Sequence, residues 1–79
     1  MFQGVGHVIG IQPYSFDFEG RSGTGTKLFV TYEDKNVTGL AVEVIKCNHK
    51  YLTPPALQLK DKIQVHYNRF GSVASIEKL

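Results

Sequence analysis

The sequence predicts an all-β fold, a small five-stranded barrel, and three observations carry that expectation. Apolar residues recur with period two in several short segments, clusters of Gly, Pro, Asn and Asp separate those segments, and no long amphipathic helix can be traced.

Val5, His7, Ile9 and Ile11 alternate with Gly4, Gly6, Val8 and Gly10, which reads as a strand with one apolar and one glycine-bearing face. On this reading His7 is a hydrogen-bonded core histidine. After Pro13 the phase slips, because Tyr14, Phe16 and Phe18 alternate with Ser15, Asp17 and Glu19; a bulge or bend is expected near Gln12 and Pro13. Residues 20–25, with three glycines, read as a flexible turn. A second strand follows over residues 26–33, with Leu28, Val30 and Tyr32 on one face and Lys27, Phe29, Thr31 and Glu33 on the other. Asp34, Lys35 and Asn36 supply turn chemistry. In the third strand Leu40, Val42 and Val44 alternate with Ala41, Glu43 and Ile45, ending near Cys47, and the short connection implies an antiparallel hairpin.

Pro54 and Pro55 lack amide donors, so residues 48–55 read as a loop or at most one short turn. Ile63, Val65 and Tyr67 alternate with Gln64, His66 and Asn68 in a fourth strand, which leaves His66 facing outward. Arg69, Phe70, Gly71 and Ser72 then form a tight hairpin into a last strand through Val73, Ala74, Ile76 and Leu79. Five strands in 79 residues fit an OB-fold-like barrel with protruding hairpins, in one domain over residues 1–79; an SH3-like barrel is the rival.

Composition narrows the function classes. A chain this short buries only roughly 60–65% of its unfolded surface, so added support is expected. The lone Cys47 excludes an internal disulfide and suits a reducing compartment, which makes oligomerisation the simplest support. No signal-peptide pattern and no membrane-spanning apolar run are present, so a cytoplasmic protein is expected. The net charge is +2 but unevenly spread: Lys46, Lys50, Lys60, Lys62 and Arg69 stand against Asp61 alone between residues 44 and 71. That half is compatible with phosphate binding, as well as with an ordinary solvated surface.

Catalysis has little to work with. Cys47 and His49 are two apart, but a closed zinc site needs four ligands and no further cysteine or paired histidine completes it. The acids are scattered, and the glycine-rich residues 20–26 lack the Gly-Lys-Ser/Thr of a P-loop and lead into a strand. Neither an enzyme nor a metal, cofactor or small-molecule substrate is therefore expected.

Two aromatics point to binding instead. Phe29 shares a strand face with Lys27 and should be exposed if Leu28 and Val30 are core, and an aromatic beside cations on an open strand is what stacking on unpaired bases requires. Phe70, beside Arg69, has nowhere to bury at a hairpin tip. Tyr14 and Tyr51 are weaker candidates.

The turn at Ser22 and Gly23 leading to a strand with an exposed aromatic, the hairpin of residues 27–46, the proline-bearing loop, and above all Arg69-Phe70-Gly71-Ser72 before a short closing strand resemble the filamentous-phage gene-five-type single-stranded-DNA-binding proteins, dimeric OB-folds. That resemblance implies base stacking by Phe70. It also implies a DNA-contacting arginine on the closing strand, where this chain has Glu77 and Lys78. The expectation is a non-enzymatic homodimer that binds single-stranded DNA with little sequence preference, in replication or in maintenance of a phage or mobile element. Phe29 and Phe70 would stack bases, and Arg21, Lys27, Lys46 and Arg69 would neutralise phosphate. Single-stranded RNA and a peptide-binding SH3-like module are the alternatives.

Overall fold

Residues 2–79 are described by a computed structural model, and they form five antiparallel strands in one sheet. These are β1 (Val5–Phe18), β2 (Arg21–Glu33), β3 (Leu40–Asn48), β4 (Lys62–Tyr67) and β5 (Val73–Lys78), in the order β3-β2-β1-β4-β5. No helix occurs among the described residues, so none is long and apolar enough to cross a membrane. The end strands β3 and β5 share no ladder, yet the sheet curls: Val8, Leu28, Val30, Ile45, Cys47, Ile63, Val65 and Ile76, drawn from all five strands, form one buried cluster. The result is a barrel-like sheet left open along one seam. Burial, with the nearby Glu43 carboxylate, pushes the Tyr67 hydroxyl above its usual range, and burial alone does the same to the Cys47 thiol.

The period-two reading holds for β2, where Leu28 and Val30 are buried, and for Ile63 and Val65 of β4. It fails for the start of β1. There the core face carries Gly4, Gly6 and Val8, while Val5, Ile9 and His7 are exposed, so His7 is not a core residue. Gly6 explains the reversal. A Cβ at that position would stand 2.6 Å from the Thr31 carbonyl oxygen and would collide with the Val30 side chain, so β1 approaches β2 only because position 6 has no side chain.

The expected bulge also lies elsewhere. Val8 pairs with Val30 and Gly10 with Phe29, which leaves Ile9 unpaired as the extra residue. Beyond it the faces exchange parity, and Tyr14, Phe16 and Phe18 stand on the side away from the core. Nor are residues 20–25 a loose turn. β2 begins at Arg21, paired with Phe18, so the connection is Glu19-Gly20 alone, both with positive φ (51° and 75°) as a two-residue type I′ turn requires.

β3 stops at Asn48, opposite Gly25, while β1 and β2 run on together. The β1–β2 ribbon therefore protrudes beyond the three-stranded part of the sheet. After β3, the side chain of Asn48 accepts a hydrogen bond from the Lys50 amide (3.0 Å) and organises the turn through Tyr51 and Leu52. Leu52 and Leu57 of the proline-bearing loop then pack against the core.

Candidate nucleic-acid interface

On the outer face of β1, β2 and β3, three aromatic rings each lie over a glycine of the neighbouring strand. Phe29 faces Gly10, Tyr14 faces Gly25, and Phe16 faces Gly23 in the β1–β2 register. A Cβ at Gly10 would come within 3.1 Å of the Phe29 ring, and one at Gly25 or Gly23 would collide with the ring of Tyr14 or Phe16. The missing side chains thus let the rings lie against the backbone instead of standing upright. Tyr14 and Phe16 follow each other along the ribbon with ring centres 6.4 Å apart and planes 31° from parallel, within the range of offset aromatic pairs. The Tyr14 hydroxyl donates a long hydrogen bond (3.4 Å) to the Cys47 carbonyl, which fixes the ring across β2. Phe18, beyond both, is 71% exposed and faces Arg21.

Cations border this row. Lys27 and Lys46 are register partners on β2 and β3, and their Nζ atoms lie 6.0 and 5.2 Å from the centre of the Tyr14 ring. Of the nearby strand carboxylates, Asp17 and Glu43 alternate to the opposite side, as partners of Ser22 and Val30. Glu33 shares the outer face, four residues beyond Phe29, about 13 Å along an extended strand. An exposed cation–π contact is worth about 0.5–1 kcal/mol, against about 1–3 kcal/mol for a base stacked on an aromatic ring. A ring stacked on Tyr14 would therefore outcompete the ammonium groups, whose flexible stems let them swing aside.

Arg21, Lys27, Phe29 and Lys46 are thus brought to one face. Arg69 and Phe70 are not. β4 runs antiparallel to β1 from its pairing with His7 towards Val5, so the β4–β5 tip projects past the start of β1, whereas Arg21 lies at the opposite end. At that tip the Asn68 carboxamide accepts the amides of Phe70 (2.9 Å) and Ser72 (3.0 Å), and Gly71 takes a φ of 82°. The Phe70 ring is 77% exposed with the Arg69 guanidinium 4.9 Å from its centre. The remaining bases of the second half are dispersed; Lys62 faces His7 on β4, and Lys78 pairs with Asp61 at 3.5 Å.

Tyr14 and Phe16, undervalued in the sequence, are central to this face. The signal that marks them is the alternation Tyr14-x-Phe16-x-Phe18 set against Gly25 and Gly23 on the partner strand. No known protein family, curated protein or solved structure matches the chain. Among the described residues, no group of three or more His, Cys, Asp or Glu is placed to hold a metal. Cys47 is sealed in the core, and His49 is bonded to Thr24 and Thr26 through Nδ1 (3.1 Å) and Nε2 (2.8 Å).

Proposed function

We propose that this protein binds single-stranded DNA with little sequence preference, by stacking bases on the outer face of β1 and β2, without catalysing a reaction. The observation that carries the reading is the row Phe29, Tyr14 and Phe16, each ring laid over a cross-strand glycine beside Lys27 and Lys46. Flat apolar rings suit any base, because every base has a π-face, while the cations follow a backbone common to all sequences. The resemblance to gene-five-type proteins points the same way, and makes Phe70 with Arg69 a second contact at the far end of the protomer. A homodimer is part of the proposal. It is supported by the small core and by Leu40, Val42 and Val44, which are exposed together on the edge strand β3.

Fluorescence anisotropy with oligothymidylate and with duplex of equal length tests it. Preference for the single strand is expected, with a log–log salt slope near −2 for short strands that reach only Arg21, Lys27 and Lys46, and near −3 for longer ones that also reach Arg69, at about −0.7 per phosphate. Equal affinity for duplex, or affinity indifferent to salt, overturns it.

A further inference from the structure

Where β3 ends and the β1–β2 ribbon runs on, the free edge of β2 faces the turn after Asn48 across a groove of about 870 Å³. Phe16, Arg21 and Gly23 line one side, His49, Lys50 and Tyr51 the other, and no carboxylate lines it. The volume lies within the ~300–1,000 Å³ of ligand clefts. Tyr51 is 79% exposed, with Lys50 Nζ 5.5 Å from its ring centre, so neither side chain is needed by the core. The wall they stand on is nevertheless fixed: His49 donates its amide to the Thr24 carbonyl (3.1 Å), and its ring bridges the Thr24 and Thr26 hydroxyls.

We infer that this groove is a distinct nucleotide subsite, holding one base between Phe16 and Tyr51 and the adjoining phosphate between Arg21 and Lys50. The inference rests on the single-stranded-DNA reading above and extends it around the edge of β2. Two rings and two cations without an acid select a planar ligand carrying negative charge, which a nucleotide is and a peptide in general is not. Phe16 belongs to both surfaces, so a strand leaving the Tyr14 ring enters the groove without a break. His49 ties the Lys50–Tyr51 wall to β2.

The test uses the full chain with oligothymidylates of increasing length, at low and moderate salt. Tyr51→Ala is expected to weaken binding about fivefold or more with an unchanged salt slope, and to shorten the occluded strand by about one nucleotide. Lys50→Gln is expected to reduce the slope by about 0.7 while the occluded length stays the same. Photocrosslinking of oligonucleotides containing 5-iodouracil should mark Tyr51 in the wild type. If the wild type binds and Tyr14→Ala weakens it, but Tyr51→Ala and Lys50→Gln change neither affinity, slope nor length, the subsite is overturned and the platform stands. If the wild type fails to bind any oligothymidylate, the functional reading falls first and takes the subsite with it.

Discussion

Tyr14→Ala separates stacking from charge. The ring lies over Gly25 in the three-stranded part of the sheet and is the one to which both Lys27 and Lys46 extend. Losing one stacked base removes about 1–3 kcal/mol, which at 1.36 kcal/mol per tenfold is about 5- to 150-fold in Kd. All cations remain, so the salt dependence should keep its slope while the whole line moves down. Lys46→Ala should do the reverse, flattening the slope by about 0.7 with a smaller loss at moderate salt. Tyr14→Phe is the control, since it gives up only a 3.4 Å hydrogen bond and keeps the ring; its affinity should stay within about twofold of wild type. Anisotropy titrations at several salt concentrations, with circular dichroism to confirm folding, measure all three. Wild-type affinity in Tyr14→Ala, or a loss accompanied by a flatter slope, would refute the assignment of stacking to this ring.

Gly25→Ala places a methyl group against the Tyr14 ring and 2.5 Å from the Cys47 carbonyl oxygen; a cost of about 1–3 kcal/mol should lower Tm by several degrees, read by thermal melting. Leu28→Ala removes a side chain from the centre of the core and should cost about 2–5 kcal/mol, lowering Tm by about 10 °C or more in the same melts. Phe70→Ala should leave Tm unchanged within about 0.5 kcal/mol of stability, and should weaken binding of long oligonucleotides more than short ones, because the tip lies at the other end of the protomer from Tyr14. Burial holds the Cys47 thiol above its ordinary value, so the unfolded chain loses that proton first as pH rises. Its contribution is therefore complete below the ordinary value near 9.0 and fades above it. Denaturant titrations should show stability falling on the alkaline side, less steeply in Cys47→Ala, with Tyr67 contributing the remainder.

The strands were legible wherever one face is apolar and the other polar. Leu28 and Val30 of β2, and Ile63 and Val65 of β4, state their burial by alternation alone. β1 misleads because its inward positions 4 and 6 are glycines, which leave no hydrophobic signature; the residues with apolar side chains beside them, Val5 and Ile9, face outward. The same silence hid the beginning of β2. Gly23 and Gly25 look like flexibility when read along one strand, and become floor space for Phe16 and Tyr14 only when the two strands are read against each other. The Phe70 tip was easier, since a phenylalanine within Arg-Phe-Gly-Ser has no neighbouring element to bury it. The groove beside Tyr51 could not be read from the sequence at all, because it depends on β3 being shorter than the ribbon it supports.

That difference in strand length gives the outer face of the sheet two mechanical regimes. Tyr14 and Phe29 sit where three strands share the load, whereas Phe16 and Phe18 ride a two-stranded cantilever, an arrangement only marginally stable without support. Amide exchange should accordingly quicken along β1 from Val8 towards Phe18. The inner rings are held to the sheet, and the outer ones can bend with the ribbon while the core beneath keeps its shape.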